Sequence, residues 1–536
     1  MPTFKLNGQE IPFEKGDTII RAAWRAGIEI PHYCWHPGLS IAANCRMCLV
    51  HVKSGRQMMM PILKWNEKKQ AFLPDTKPKL VPACQQMADE SLEVDSVGPE
   101  VTKAQAAVQE LLLLNHPVDC PICDQAGECK LQDYYEEHQH TLKRKRTEPV
   151  HKPKGVRFGP TIVYDAERCI MCTRCIRVCD ELVGDHVLDM RERGNRNEIT
   201  LAPGRELDHE YTLMTEHVCP VGALTSRDFR FKARVWFLKS AEGVCTGCAT
   251  GCNSHVDFDP RYGKVYRLRP RDNADVNRFW MCDKGMMTYR EVHERRLVTP
   301  VVGRGDAAEK LLPEEAPTEV ASLLSLVKEK SKLAVVLGAG MSSEDNFVAV
   351  RFAQLFGTSR LYLAAREADD IGWKGDTILK NADPNPNRAG ATQVAGRDLA
   401  DLDDLIADVL AGQVSGVVAL GHFGGEGEGT LDALKKLDVV ISLASNEGPL
   451  PAVASAQVPV ASWAETFGTF VNAKGIAQTF SRAIPAPDGV LPAWKTLCAI
   501  AKELGLALSF ERTGDVRNAM NAAAASTEDA QPQATA

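Results

Sequence analysis

The sequence predicts a multidomain protein, with α+β domains in its front half and an α/β region in its back half. Three observations carry this prediction. The chain has 536 residues, enough for three to five domains of about 150 residues each. Of its 17 cysteines, 16 lie before residue 300. After that point, apolar runs typical of buried strands alternate with helical stretches.

The bulk composition is that of an ordinary globular chain. Hydrophobic residues make up 44% and charged residues 25%, and the net charge of −7 gives no overall basic field for nucleic acid. The first residues lack the pattern of a signal peptide, and no apolar run approaches about 18 residues. We therefore expect no transmembrane helix and no disulfides, and the clustered cysteines indicate metal ligands.

The front of the chain predicts a small domain built on a hairpin. Residues 3–14 form two short strands around Asn7-Gly8, which is the signal of a type I′ turn. Pro12 predicts that the second strand has a free edge, because proline cannot donate to a neighbouring strand.

A helix and further strands complete this domain. Asp17 is expected to cap a helix over 18–26, and Gly27 to end it. Alternating apolar and polar residues predict strands at 48–52 and 91–96. The domain is therefore an α+β unit that ends near residue 97.

A helix and a basic segment follow. Residues 99–115 predict a helix with Pro99 at its first position. In the segment 141–160, seven Lys and Arg residues fall between positions 143 and 157. A nucleic-acid patch is one interpretation, but a solvated linker or a contact with an acidic partner subunit is favoured.

The back of the chain predicts a parallel sheet with helices. Buried strands are expected at 332–340, 414–420 and 437–445, and helices at 343–355 and 401–411. The tail from about residue 513 is small and polar, which predicts disorder.

The first set of candidate ligands is Cys34, Cys45, Cys48 and Cys84. Three of these cysteines share one loop and the fourth is distant, which is the plant-type [2Fe–2S] arrangement with a longer first gap. Small residues in this loop let the backbone wrap a cluster closely. Zinc is the alternative.

The second set is His116, Cys120, Cys123 and Cys129. One histidine and three cysteines suit structural zinc as well as a cluster, and the spacing alone does not separate the two. His116 is also placed where a helix ends, so the residues alone leave its role open.

The third set is Cys169, Cys172, Cys175 and Cys219. A C-x2-C-x2-C loop with a remote Cys-Pro is the bacterial [4Fe–4S] pattern. Cys179 follows where a two-cluster ferredoxin would use it on a second cluster. That second cluster would need further cysteines just before Cys219, and the segment 211–218 has none. We therefore expect Cys179 to bind no metal.

The fourth set is Cys245, Cys248, Cys252 and Cys282, where four thiolates suit either [4Fe–4S] or zinc. With this set, only Cys179 and Cys498 remain outside. One [2Fe–2S] and three [4Fe–4S] clusters amount to about 14 iron atoms. Several clusters in one chain indicate an electron relay, for which no catalytic residue of the acid–base, nucleophilic or hydride-transfer kind is expected.

Four motifs resemble the family of the large iron–sulfur subunit of respiratory complex I, the G subunit of NADH-quinone oxidoreductase. They are "HYCWHPGLSIAANCRMCLV", "NHPVDCPICDQAGECKLQD", "CIMCTRCIRVC" with "HVCPVGAL", and "CTGCATGCN" with "CDKG". The fourth motif also resembles the cluster domain that opens molybdopterin oxidoreductases. Residues 300–510, with "ETFGTFVNAKGIAQ", resemble the later domains of that enzyme family in shortened form.

The resemblance implies six regions. They are a β-grasp [2Fe–2S] ferredoxin domain (1–97), a helical histidine-plus-three-cysteine [4Fe–4S] domain (98–140), a ferredoxin-like [4Fe–4S] domain (141–237), a four-cysteine [4Fe–4S] domain of molybdopterin-oxidoreductase type (238–295), a truncated α/β molybdopterin-oxidoreductase-like domain without cofactor (296–512), and a disordered tail (513–536).

The resemblance also implies a function and partners. The histidine-plus-three-cysteine set would bind a [4Fe–4S] cluster, with His116 as its fourth ligand. Electrons from an NADH/FMN subunit would pass through the first, third and second sets to a ferredoxin-like two-cluster subunit and the quinone-module subunits, with the fourth cluster off this path. The chain would act within a proton-translocating enzyme, peripherally, at the cytoplasmic face of the inner (plasma) membrane.

The back half departs from the molybdopterin enzymes. No cysteine lies between Cys282 and Cys498, and "GAGMSS" at 338–343 is not a full G-x-G-x-x-G, so a tight strand–helix turn is expected there. We therefore expect no molybdopterin. The rival interpretations are an electron-input subunit of a soluble NAD-linked hydrogenase or formate dehydrogenase, and a structural protein held by zinc.

Overall fold

The computed structural model describes residues 1–53, 59–138, 147–421 and 428–528. The chain divides into two compact units, Met1–Trp236 and Phe237–Ala536. The run of four basic residues at 143–146 lies outside the described residues, so its expected role as a linker is not tested. Within the described ranges, none of the helices is both long enough and apolar enough to cross a membrane.

The first unit opens with a mixed six-stranded sheet and one helix. In the order β2-β1-β6-β3-β5-β4, its strands are β1 (Thr3–Leu6), β2 (Gln9–Pro12), β3 (Leu49–Val52), β4 (Met59–Asn66), β5 (Ala71–Pro82) and β6 (Glu93–Asp95), and its helix is α1 (Ile19–Arg25). Most contacts in the sheet are antiparallel, but β1 and β6 run parallel. This is the α+β domain that the sequence predicts.

The hairpin prediction is confirmed, whereas the predicted cap is wrong. Asn7 and Gly8 have φ of 53° and 85°, as a type I′ turn requires, and β2 is the edge strand that Pro12 predicted. Thr18, not Asp17, precedes α1. The Asp17 carboxylate instead accepts hydrogen bonds from the Glu14 amide and the Arg25 guanidinium, which occupy its oxygen in place of the helix amides.

The rest of the first unit consists of short elements around two loops of cysteines. They are α2 (Pro99–Leu113), α3 (Lys130–His138), β7 (Val156–Arg157), β8 (Ile162–Tyr164), α4 (Arg174–Arg177), β9 (Leu188–Arg191), β10 (Glu198–Leu201), α5 (Thr212–His217) and β11 (Leu224–Ser226). Pro99 stands in the first turn of α2, as predicted. A π-helical turn, Val178–Val183, follows α4 directly.

The second unit begins with an antiparallel three-stranded sheet. Its elements are β12 (Lys239–Val244), β13 (Asn253–Asp259), β14 (Lys264–Pro270) and the short helix α6 (Asp283–Met287). The fourth cysteine set lies in the β12–β13 turn and directly before α6.

A seven-stranded sheet forms the core of the second unit. Its order is β16-β15-β21-β20-β19-β17-β18, and the five strands from β21 to β18 are parallel. The elements are β15 (Val301–Val302), β16 (Glu309–Lys310), α7 (Ala316–Ser325), β17 (Leu333–Gly338), α8 (Ser343–Phe356), β18 (Leu361–Ala364), α9 (Arg388–Ala395), α10 (Leu402–Leu410), β19 (Gly416–Leu420), α11 (Glu428–Lys435), β20 (Val439–Ala444), α12 (Pro449–Val453), β21 (Ala456–Pro459), β22 (Gly468–Val471), β23 (Ala477–Phe480), α13 (Ala493–Glu503) and α14 (Thr513–Glu528).

The α/β prediction for this region is confirmed, and so is the strand–helix turn. Apolar side chains on both faces of the parallel strands are buried, as expected for a sheet covered by helices. Ser342 caps α8 through its hydroxyl, which accepts a hydrogen bond from the Asp345 amide.

The expectation of a disordered tail from residue 513 is wrong for the described part. Residues 513–528 form α14, in which Val516 is fully buried and Arg517 pairs with buried Glu344 at 2.6 Å. An alanine run gives this polar segment a high helix propensity, and these two contacts hold the helix in place. Residues 529–536 lie outside the described residues.

A buried carboxyl in α8 predicts a pH-dependent stability. Burial raises the pKa of Asp345 from 3.8 to about 6, although Ser342 and the Trp494 amide donate to it. The folded protein therefore binds this proton more tightly than the unfolded chain. The stabilisation is complete below pH 4 and is lost as the pH rises through about 6, amounting to about 3 kcal/mol at 1.36 kcal/mol per pKa unit.

We expect Asp345→Asn to reduce the loss of stability between pH 4 and pH 8. The check is the midpoint of thermal unfolding across that range, with Asp432→Asn as the control because Asp432 is exposed. Identical pH profiles for wild type and Asp345→Asn would contradict the assignment.

Candidate functional site

The first cysteine set closes a buried loop against the six-stranded sheet. The thiol of Cys34 is hydrogen-bonded to that of Cys45, which raises the pKa of Cys34 and lowers that of Cys45. The Cys34 amide also donates to Cys45 Sγ at 3.5 Å. Cys48 and Cys84 form the second thiol pair, whose hydrogen bond raises the pKa of Cys48, and Cys45 lies close enough to raise it further. All four predicted ligands therefore lie together as two neighbouring pairs.

The third set lines one enclosed cavity. Cys169, Cys172, Cys175 and Cys219 line a small cavity of about 10 Å³, whose remaining wall is mainly apolar. Burial raises the pKa of Cys169, Cys172 and Cys219 to about 11, and it raises that of Cys175 further. The four predicted ligands of this set thus line the same cavity.

Backbone strain accompanies both of these loops. Ala43 and Arg46 flank Cys45 with φ of 51° and 60°, and Met171 and Thr173 flank Cys172 with φ of 56° and 62°. Residues other than glycine rarely adopt this left-handed conformation, and they keep it where the surrounding structure requires it, often at binding loops.

The second set places three thiols together and a histidine beside them. Burial raises the pKa of Cys123 and of Cys129, the latter to about 12, and the nearby thiol of Cys120 adds to both shifts. His116 and Cys123 share the charged neighbours Asp119 and Arg168.

His116 has the protonation state that a metal ligand needs. Burial lowers its pKa to about 4, so the imidazole is neutral. Its Nδ1 is buried and has no hydrogen-bond partner in the described part of the chain. A buried polar nitrogen without a partner is uncommon, and a role as a metal ligand would explain it.

The fourth set lies in the second unit and is also buried. The Cys245 amide donates to the Cys252 carbonyl at 2.8 Å, which closes the β12–β13 turn, and Cys282 caps α6. The thiols of Cys248 and Cys282 both raise the pKa of Cys245, after burial as the larger cause. At Gly285 a Cβ would stand 3.0 Å from Cys245 Sγ and 3.3 Å from Cys282 Sγ, so glycine keeps the space between these thiols open.

Cys179, which we expected to bind no metal, lies apart from the cavity of the third set. It is fully buried, and its Sγ lies 3.5 Å from His209 Nε2. The Tyr211 amide donates to His209 Nδ1, so Nε2 carries the proton and donates to the sulfur.

The loops of the first and third sets are joined by hydrogen bonds. Arg177 donates to the carbonyl of Cys34 at 2.6 Å and to that of Cys172 at 3.3 Å. Arg174 donates to the Trp35 carbonyl, and the Asn44 side chain donates to the Met171 carbonyl. The two ligand loops therefore share one hydrogen-bonded boundary.

The third and second sets are joined as well. Arg168, next to Cys169, forms two hydrogen bonds with Asp119, next to Cys120, at 3.0 and 2.6 Å. Gly222 follows Cys219 closely, and a Cβ there would overlap Cys123 Sγ. The third set thus lies in contact with both of the others in this unit.

These connecting residues are not predicted by the sequence. Nothing in the spacing of the cysteines singles out Arg168, Arg174, Arg177 or Gly222, because their role depends on which loops the fold brings together. The basic residues inside "ERCIMCTRCIR" were the available signal, since a cation next to buried thiols has a physical reason to be there.

The residues present fit the expected clusters. Within residues 1–53, 59–138, 147–421 and 428–528, no group of three or more His, Cys, Asp or Glu side chains closes around a single metal ion. A cluster of several irons and sulfides is wider than one ion and holds its ligands further apart. The four thiols that line one cavity in the third set, and the gap that Gly285 keeps open between two thiols of the fourth, suit the thiolate ligands of such a group.

Four families match the chain in succession. Residues 1–98 match a 2Fe-2S iron-sulfur cluster binding domain, and 105–144 match the NADH-ubiquinone oxidoreductase-G iron-sulfur binding region. Residues 159–225 match the ferredoxin-like domain of NADH-quinone oxidoreductase subunit 3, and 238–294 match the molybdopterin oxidoreductase Fe4S4 domain. The predicted mixed fold class with these four domain types is confirmed.

Curated relatives point to one family. The G subunit of NADH-quinone oxidoreductase from Rickettsia felis is 33% identical over 410 residues, which cover 76% of this chain and 55% of the relative. The chain is similar to this G subunit over three quarters of its own length. The family member from Streptomyces coelicolor is 33% identical over 358 residues, 66% of this chain and 39% of that protein. The NADH-ubiquinone oxidoreductase 75 kDa subunit of Reclinomonas americana is 33% identical over 410 residues, which cover 75% of this chain and 55% of that protein.

The chain spans about half the length of those relatives. Among solved structures, it is similar to an NAD+-reducing [NiFe]-hydrogenase in the H2-reduced state, with a TM-score of 0.36, 27% identity, and coverage of 44% of this chain and 91% of that one. It is also similar to acetylene hydratase from Pelobacter acetylenicus, with a TM-score of 0.37 and 10% identity. That similarity covers 50% of this chain and 69% of that one.

Gly222→Ala tests the close approach of the third set's loop to the second set. The added methyl group would overlap Cys123 Sγ, so we expect the group bound by the second set to be lost while that of the third set is retained. Iron analysis and low-temperature EPR of the variant would show this as the loss of one signal.

The control is Gly340→Ala, where an added Cβ meets nothing within 4 Å. An unchanged second-set signal in Gly222→Ala would contradict the geometry at Cys123.

Proposed function

We propose that this chain is the iron–sulfur electron relay of an NADH:quinone oxidoreductase, and that it passes electrons from an NADH/FMN subunit towards quinone. The observation that carries the proposal is the succession of contacts from the first set through the third to the second. A relay needs its carriers held at fixed, short separations, and Arg177, Arg168 and Gly222 hold these loops together.

The proposed ligands are the residues of the four sets. Cys34, Cys45, Cys48 and Cys84 would hold one [2Fe–2S] cluster, and three [4Fe–4S] clusters would be held by His116 with Cys120, Cys123 and Cys129, by Cys169, Cys172, Cys175 and Cys219, and by Cys245, Cys248, Cys252 and Cys282. When bound, each cluster supplies a site that accepts and releases one electron with little movement of its ligands. The chain's own residues exclude water, fix the thiols and provide hydrogen bonds to them.

Backbone amides support the thiolate form that such ligands need. The Gly247 and Gly285 amides donate to Cys245 Sγ and Cys282 Sγ, each at 3.3 Å, and the Met171 amide donates to Cys169 Sγ at 3.4 Å. Hydrogen bonds of this kind stabilise negative charge on sulfur and raise the potential of a bound cluster.

The proposed partners follow the same order. An NADH/FMN-binding subunit would deliver electrons, a ferredoxin-like two-cluster subunit would accept them, and quinone-module subunits would complete the enzyme. We place the chain peripherally at the cytoplasmic face of the inner (plasma) membrane, reached only through the complex, and expect no molybdopterin in its back half.

Metal analysis tests the proposal. We expect about 14 iron atoms and an equal amount of acid-labile sulfide per chain purified without air. Zinc in place of iron, with no sulfide, would overturn the relay. Co-purification with a hydrogenase or formate dehydrogenase subunit instead of quinone-module subunits would favour the alternative, an electron-input subunit of a soluble NAD-linked enzyme.

His116→Cys tests the role of the histidine. A thiolate in place of a neutral imidazole makes the bound cluster more negative, so we expect it to be retained at a lower potential. A redox titration followed by EPR gives the shift. An unchanged potential of the second-set signal would count against His116 as a ligand.

A further inference from the structure

Two arginines of the short helix α4 lie on the boundary between the first and third sets. Arg174 and Arg177 follow Cys172 in the chain, and they are only 8% and 9% exposed. Their guanidinium groups donate to backbone carbonyls of both loops: Arg177 to those of Cys34 and Cys172, and Arg174 to those of Trp35 and Val218. Each arginine therefore contacts both cluster-binding loops at once.

These two positive charges have no carboxylate partner. Among the described residues, neither guanidinium forms an ion pair, and all the hydrogen bonds of Arg174 go to carbonyl oxygens. The buried Nε of Arg174 has no hydrogen-bond partner in the same part of the chain. This contrasts with Arg168, which pairs with Asp119 at 2.6 Å. A buried cation without a counter-charge is costly, so something else must compensate for it.

Cysteine sulfurs are potential negative charges close to Arg174. Burial lowers the pKa of Arg174, and the sulfurs of Cys172 and Cys219 in the third set, and of Cys34 in the first set, lie close enough to oppose that shift. As thiolates around a bound cluster they would carry net negative charge, and each arriving electron would add one more. Arg174 and Arg177 stand where this charge from two sites would meet.

We propose that Arg174 and Arg177 form a shared positive charge that raises the reduction potentials of the first-set and third-set clusters together. This inference rests on the proposed function, since it requires clusters at both sets. The physical basis is Coulombic: a nearby buried cation stabilises the reduced, more negative form of each cluster more than the oxidised form. The arginines are positioning residues, and they carry no electron.

The alternative is that the arginines act only as hydrogen-bond donors that fasten two loops. The two roles differ in what neutral substitution does. Glutamine in place of Arg174 keeps donors for a carbonyl but removes the charge. A fastening role then leaves the potentials of the retained clusters unchanged, whereas a charge role lowers both.

The test is a redox titration of Arg174→Gln in the full-length chain, purified together with the subunits that accompany it. Iron and sulfide are counted first, and the four EPR signals are then followed against potential. We expect wild-type iron content and a fall in the potentials of the first-set and third-set clusters. The equilibrium constant for the one-electron reduction of each of these two clusters should fall at least tenfold, which corresponds to a fall in potential of about 59 mV. The second-set and fourth-set potentials should not move.

Two further variants serve as controls. Arg227→Gln removes an exposed arginine of the same unit that donates to the Pro160 carbonyl, and it should shift none of the potentials. Arg174→Lys keeps the charge, and its potentials should stay near those of wild type. Unshifted potentials in Arg174→Gln with clusters retained would overturn the inference.

Loss of iron from Arg174→Gln would still decide the matter. Arg174→Lys and Arg174→Met are then compared for iron content. Recovery of iron with lysine alone supports the charge role, whereas equal content in both variants overturns it. Wild-type protein without iron and sulfide would instead overturn the proposed function itself, so the two failures are distinguishable.

Discussion

The structure depends on burying mutually close thiols. In each set, burial and neighbouring sulfurs raise the pKa of at least one cysteine, so these thiols stay protonated unless a bound metal or cluster replaces their protons. Binding a cluster removes those protons and supplies the counter-charge. Folding of the cysteine loops and cluster binding would therefore be coupled, as in other proteins whose metal ligands must be deprotonated.

This constraint explains why charged and donor groups gather around the loops. Thiolates around a bound cluster would need hydrogen bonds and cations, and the chain provides backbone amides at Cys245 and Cys282 and arginines around the third set. The same groups connect one loop to the next. Arg177 links the first set to the third, and Arg168 links the third to the second, so electrostatic compensation and the spacing of carriers have a common structural origin.

Much of the fold followed from the sequence because its signals are local. The Asn7-Gly8 turn, the free edge at Pro12 and the buried parallel strands each depend on a few neighbouring residues. The prediction that Asp17 caps α1 was wrong because other donors, the Glu14 amide and Arg25, occupy its carboxylate. Helix α14 was missed because its stability comes from distant contacts, the burial of Val516 and the pair between Arg517 and Glu344. The candidate site divides in the same way: cysteine spacing identifies sets of ligands, since ligands on one loop lie close in sequence.

Spacing carries no information about which loops meet, so Gly222 beside Cys123 and the arginines of α4 became visible only in three dimensions. The match of residues 105–144 to an iron-sulfur binding region favours a cluster over zinc at the second set, a choice that spacing had left open.

The most direct test of this account is quantitative low-temperature EPR of the fully reduced chain. The account predicts four paramagnetic clusters, one of the [2Fe–2S] type and three of the [4Fe–4S] type, one for each set of ligands. Spin coupling between the first-set and third-set signals should accompany their joined loops. A reduced protein with no iron–sulfur signal, or with signals that disappear only when cysteines outside the four sets are replaced, would contradict it.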